Sequence, residues 1–187
     1  MSSTIVGILL AAGKSTRFGS NKLLHPLRDG TPMVLASARA LVAVLPNSIA
    51  VVDDANNKVA TLLDGEGIQA VENPCASEGM GTSIACGVTS TPDAQGWVIA
   101  LADMPCIPKV LIQAVVTGLE QGSDIIAPVY NKRRGHPVGF SSRHLQALKQ
   151  LHTDAGARSI IQANRESLDL IETTERGVIV DFDTPGM

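Results

Sequence analysis

Residues Ile5 to Lys22 read IVGILLAAGKSTRFGSNK, and this stretch constrains the fold more than any other. Ile5–Leu10 is a short apolar run with β-branched residues, the pattern of a strand covered on both faces. Such a strand needs helices above and below it. It empties into Ala11, Ala12 and Gly13, followed by Lys14, Ser15, Thr16, Arg17, Gly19 and Lys22. Small side chains at that point let backbone N–H groups converge on an anion, and the cations neutralise what remains. Arg17 can fork onto phosphate oxygens, while Lys14 and Lys22 act as point charges. Two familiar phosphate loops do not match. GxxxxGK[ST] requires glycine where Ile8 stands, and GxGxxG is absent.

The remainder alternates between helix and strand patterns. Pro32 opens a helix that stops before Pro46, and Ile49–Val52 is a second buried strand. A helix over Asn56–Leu63 and a strand over Ile68–Val71 follow. Gly79 and Gly81 leave the next segment open before a helix that reaches Val88. Gly96–Ala102 is a fourth strand, a helix runs from Pro108 to Leu119, and Asp124–Pro128 is a fifth strand. His136–Phe140 reads as a short strand. Ser141 and Asp154 are expected to cap helices reaching Leu151 and about Asn164. Leu168–Ile171 and Val178–Val180 are expected as late strands. This alternation predicts an α/β fold with a mostly parallel central sheet. At 187 residues the expectation is one domain over 1–187, with 130–151 as a substrate-side insertion lying over the strand ends.

Composition removes several function classes. The net charge is −3, there is no basic block, and the chain has one Trp, one Tyr and three Phe. That argues against a nucleic-acid surface built on stacked aromatics. Cys75, Cys86 and Cys106 form no CxxC or Cys/His pattern and read as reduced thiols. No apolar run has membrane-spanning length and no cationic leader precedes one, so the expected location is cytoplasmic.

In an open α/β sheet, ligands bind beyond the carboxyl ends of the strands. Asp103 follows an unbroken apolar run, and Asp183 stands after the last expected strand, with Asp181 as its rival on the same side. Carboxylates suit Mg²⁺, which takes one or two of them together with phosphate oxygens. A triphosphate, paired cations and Mg²⁺ make a phosphoryl-transfer site that works by positioning and charge neutralisation. Asn73 reads either as a turn residue before Pro74 or as a base contact. His136, after Arg133-Arg134-Gly135, reads either as structural or as a ligand contact.

Six motifs carry a family resemblance: LAAGKSTRFGSNK, NPCASEGMGTS (Asn73–Ser83), ALADMP (Ala100–Pro105), GHPVGF (Gly135–Phe140), DAGAR (Asp154–Arg158) and DFDTP (Asp181–Pro185). Their order resembles that of the molybdenum-cofactor cytidylyltransferases within the wider group of MobA-like NTP transferases. The resemblance implies a three-layer, Rossmann-like nucleotidyltransferase fold. It implies Mg²⁺-dependent joining of CMP from CTP to molybdenum–molybdopterin, with release of pyrophosphate. By carry-over, Leu10, Ala11, Ala12, Gly13, Lys14 and Ser15 would hold the nucleotide, with Asn73 and Ser83. Arg17 and Lys22 would hold the triphosphate, and Asp103 and Asp183 the metal. Arg134, His136 and Arg158 would face the pterin. Ala12 matches the cytidylyl pattern LAAG, where guanylyltransferases read LAGG; one methyl discriminates by about 1–3 kcal/mol. A molybdenum hydroxylase would be the implied recipient of the product. The alternatives are a MobA-like enzyme using GTP or a sugar or polyol phosphate, and a non-catalytic carrier of the cofactor.

Overall fold

A computed structural model describes residues 4–13, 21–54 and 57–182. The first strand, β1 (Ile5–Leu10), is buried at every position. It pairs in parallel with β2 (Ile49–Val52) on one side and β4 (Gly96–Leu101) on the other. β2 in turn pairs in parallel with β3 (Gln69–Glu72). Alternation along β1 divides the core. Ile5 and Leu9 join one apolar cluster, and Val6, Ile8 and Leu10 join the other.

The first cluster is covered by α1 (Met33–Val42), α2 (Lys58–Gly65) and α4 (Lys109–Glu120). The second is covered by α3 (Met80–Ser90), α5 (Leu145–Lys149) and α6 (Arg158–Ala163). The result is the expected α/β layering of helix, sheet and helix, with a mostly parallel sheet. With β5 at Ile125–Tyr130, β6 at Arg133–Arg134 and β7 at Val138–Ser141, the order is β3-β2-β1-β4-β7-β5-β6, and β8 (Leu168–Glu172) pairs β5 in parallel.

The sheet departs from the sequence expectation at β7 (Val138–Ser141). Residues 130–151 were expected over the strand ends. Instead β7 runs antiparallel between β4 and β5, inside the sheet. The start of that stretch lies at the end of β5. There, β6 (Arg133–Arg134) turns back on β5 through Asn131 and Lys132, at φ 47° and 63°. Two consecutive left-handed residues match the twist of a tight hairpin.

Three other local expectations are corrected. Ser141 ends β7 and donates through Oγ to the Asp124 carboxylate at 2.7 Å, so it caps no helix. A 3₁₀ turn over Ser142–His144 and the short α5 stand where the longer helix was expected. Asp154 lies in a turn ahead of α6, whose N-cap position is Ala157. Val178–Val180 is no strand. Residues Arg176–Ile179 form a 3₁₀ turn, and the Val178 carbonyl accepts the His136 N–H at 2.8 Å rather than entering a ladder. Among the described residues, no helix is long and apolar enough to cross a membrane.

Candidate active site

The carboxyl ends of β1 and β4 lie side by side, held in register from Ile5↔Gly96 to Leu10↔Leu101. The ladder extends one step further, because Ala102 N–H donates to the Leu10 carbonyl at 3.1 Å. Both chains therefore leave the sheet at one rim. Residues 22–24 return there as a 3₁₀ turn, capped by Asn21 Oδ1 and anchored by buried Leu23. That turn carries Lys22 to Asp103. The Lys22 ammonium donates to Asp103 Oδ2 at 2.8 Å, with the side chains 16% and 22% exposed. On the page of the sequence these residues are eighty-one apart.

The rim opens into a cleft with two lobes. One, of about 340 Å³, is lined by Leu10, Ala12, Gly13, Lys22, Ser83 and Asp103 among others. The other, of about 440 Å³, is lined by Arg134, His136 and Arg158 over an apolar wall that includes Val138 and Phe140. Leu10, Met80, Leu101 and Asp154 border both lobes. The structure thus gathers two groups of sequence candidates into adjoining spaces. Ala11 is buried, and its N–H donates to the Val51 carbonyl, which fixes the exit of β1. Lys14, Ser15, Arg17 and Asp183 lie outside the described residues.

Asn73 takes the turn role weighed above, with its oxygen on the backbone two residues on. It is 3% exposed, and its amide donates to Thr82 Oγ1 at 2.9 Å and Ser83 Oγ at 3.0 Å. Its oxygen accepts the Cys75 N–H at 3.0 Å. The side chain therefore ties the turn after β3 to the first turn of α3. Ser83 accepts from Asn73 and keeps its own hydroxyl hydrogen for the cleft it lines.

The start of α3 presents backbone N–H groups toward 152–154 and the cleft. One of them is taken, since Gly81 N–H donates to the Thr153 carbonyl at 2.9 Å. Glycine is required here by close approach. A Cβ on Gly79, at φ 128°, would stand 2.6 Å from Asp154 N, and one on Gly81 would stand 2.6 Å from Thr153 O. This contact brings Asp154 to the cleft. Asp154 and Met80 are the lining residues that sequence reasoning placed least well. The available signal was a large apolar residue flanked by glycines, Gly79-Met80-Gly81, and Met80 is indeed 40% exposed.

Charge is unevenly distributed between the lobes. Burial lowers the Arg134 guanidinium pKa, and the nearby charge of Arg158 adds to that. Burial pushes His136 down to about 4, the Arg134 charge pushes the same way, and Asp103 opposes both. Its ring Nδ1 is buried without a hydrogen-bond partner. His136 is accordingly a neutral imidazole at neutral pH. With about 4 in the fold against 6.5 for the free group, the unfolded chain takes the proton first as pH falls. This contribution is intact above pH 6.5 and is lost between 6.5 and about 4, by up to about 3 kcal/mol. Urea midpoints at pH 7 and pH 4.5 should therefore differ less in His136→Gln than in the parent. An equal pH slope in both would mean that another group carries it.

A profile described as the MobA-like NTP transferase domain matches residues 7–168. The chain belongs to the MobA-like NTP transferase family. Among curated relatives, the bifunctional protein GlmU of Rhizobium rhizogenes is 30% identical over 175 residues, covering 90% of this chain but 36% of GlmU. The chain thus spans about a third of that relative's length. The purine catabolism protein PucB of Bacillus subtilis is 28% identical, covering 97% of this chain and 92% of its own. The molybdenum cofactor cytidylyltransferase of Escherichia coli is 25% identical over 98% of this chain and 93% of its own. Among solved structures, Rv0371c of Mycobacterium tuberculosis superposes with a TM-score of 0.80 at 27% identity, over 97% of this chain and 94% of that one. Rv0371c has also been solved as a manganese complex, which superposes with a TM-score of 0.73 at 24% identity, over 91% of this chain and 88% of that one.

Proposed function

We propose that this family member transfers a cytidylyl group from CTP to the terminal phosphate of molybdenum–molybdopterin, releasing pyrophosphate. An oxygen of the acceptor phosphate forms a bond to the α-phosphorus, and the bond from that phosphorus to the bridging oxygen breaks. Both electrons of the broken bond leave with pyrophosphate. The observation that carries this reading is the Lys22–Asp103 pair, set at the rim where a lobe bordered by β1 meets a lobe bordered by Arg134, His136 and Arg158. A nucleotide in the first lobe presents its α-phosphate toward an acceptor in the second.

A divalent cation, Mg²⁺ by preference, fits the residues present. Asp103 offers a hard oxygen donor at the rim and remains partly exposed. Among the described residues no three acidic, His or Cys side chains converge into an all-protein cage. Mg²⁺ does not need one, because it keeps waters and takes phosphate oxygens beside one or two carboxylates. The backbone also brings a second carboxylate's neighbour close: Phe182 N–H donates to the Asp103 carbonyl at 3.2 Å. Asp183 follows directly in sequence and is proposed as the second ligand. When bound, the cation polarises the phosphate oxygens and draws off developing charge.

Lys22 would exchange Asp103 for the triphosphate as the cation arrives, joined by Arg17. Leu10, Ala12 and Gly13 would receive the nucleoside, with Lys14, Ser15 and Ser83 donating to it. The methyl of Ala12 narrows the space beside the base and favours a pyrimidine. The apolar wall of the second lobe suits a flat heterocycle, and its two guanidinium groups suit an anion.

The test is pyrophosphate release with CTP and GTP side by side, against molybdopterin and against sugar and polyol phosphates. CTP with molybdopterin and Mg²⁺ is expected to be the productive combination. Release with a polyol phosphate and none with molybdopterin would reassign the acceptor. Tight molybdopterin binding without release under any combination would make the chain a carrier.

A further inference from the structure

On the far side of Arg134 from the cleft, β8 and α6 enclose a separate groove of about 410 Å³. Its lining includes Lys132, Arg134, Arg158 and Arg165, with Leu168 and Leu170 on the floor. Among the described residues, no acidic side chain lines it. None of the four cations has an ion-pair partner among the described residues. The contrast with the neighbouring lobe is chemical. There, Asp154 shares the lining with Arg134 and Arg158, whereas here the same two guanidinium groups meet two more cations. In a chain of net charge −3, such a concentration of one sign runs against the composition.

We infer that this groove is a second anion site, which takes a phosphorylated small molecule with an apolar body. The phosphate would lie among the guanidinium groups, which fork onto its oxygens. The apolar body would cover Leu168 and Leu170, and Leu170 is 51% exposed, one of the few large apolar side chains left in solvent. A bare inorganic anion would gain nothing from that floor. Half-buried Arg134 borders both the groove and the acceptor lobe. Burial and the like charge of Arg158 already disfavour its ionised form, so an anion on the groove side relieves both guanidinium groups. Occupancy of the groove is thereby coupled to the acceptor lobe through Arg134 and Arg158, which border both. The inference concerns binding alone and holds whether or not the chain transfers a cytidylyl group.

Inorganic phosphate and phenyl phosphate are the probes, titrated at 0.15 M salt into the full chain and followed by amide and arginine side-chain NMR. Phenyl phosphate is expected to bind at least about five-fold more tightly, with shifts centred on residues 132, 165 and 170. Lys132→Asn, which keeps a side chain tolerant of the left-handed turn, and Arg165→Ala should each weaken both probes about five-fold or more. Leu170→Ser should remove the advantage of phenyl phosphate. CTP affinity should stay within two-fold in all three variants, which also reports that they fold. Shifts confined to Gly13, Lys22 and Asp103, or unchanged affinity in Lys132→Asn and Arg165→Ala, would overturn the site. Equal binding of the two probes would overturn the apolar body.

Discussion

Asp103→Asn is expected to lower pyrophosphate release about 1,000-fold while the chain stays folded. The amide has the shape of the carboxylate, and its oxygen can still accept from Lys22 across the 2.8 Å separation. What the substitution removes is a charge at the rim of the cleft. The stability change should be within about 1 kcal/mol, because the pair is partly exposed and such pairs contribute little. Nucleotide affinity measured without divalent cation should hold or rise, since Lys22 no longer has a carboxylate competing with the triphosphate. Turnover thus falls while metal-free affinity does not, a split that general misfolding would not produce. Steady-state pyrophosphate release, metal-free CTP titration and urea unfolding read the three quantities. Full activity in Asp103→Asn would remove this residue from the proposed metal site.

Much of this arrangement is legible in the sequence where local chemistry decides the outcome. Ile5–Leu10 and Ile49–Val52 are strands with the expected limits, because an unbroken aliphatic run between small or polar residues leaves little choice. Pro32 and Pro108 each stand immediately before a helix, where a missing N–H costs nothing. From there the rim follows: a loop leaving a central parallel strand and an acid ending the next one must meet at the carboxyl edge.

The failures occur where a residue has two local options and the fold selects one. Ser141 has the hydroxyl of a helix cap, but the Asp124 carboxylate at the start of β5 takes it. Asp154 has the carboxylate of a cap, but close packing of Gly79 and Gly81 against 153–154 draws its segment to the cleft. The position of β7 depends on which distant strands leave a gap, and the pattern of GHPVGF contains no such information. The same holds for Val178, whose carbonyl is claimed by His136 forty-two residues earlier in the chain.

Asn73 is the instructive case, and its replacement by alanine is expected to have the largest effect on stability. Three hydrogen bonds end on this buried amide. Truncation leaves the Cys75 N–H without its acceptor and removes the donor of two buried bonds, to Thr82 and Ser83. An unmade buried bond costs about 1–3 kcal/mol, so a loss of about 3 kcal/mol is expected for Asn73→Ala. Ser83→Ala should cost less, because it removes one partner and leaves the brace to Thr82 and Cys75. The double variant should fall short of the sum by at least about 0.5 kcal/mol, the mark of residues sharing one network. CTP affinity should weaken in parallel, since the first turn of α3 loses its tether to the turn after β3 and Ser83 loses its fixed hydroxyl. The two roles of Asn73 separate at this point. A bracing side chain couples stability and nucleotide affinity, whereas a base reader would lose affinity at nearly unchanged stability. Parent-like urea unfolding in Asn73→Ala, together with lost CTP binding, would return the residue to the nucleotide.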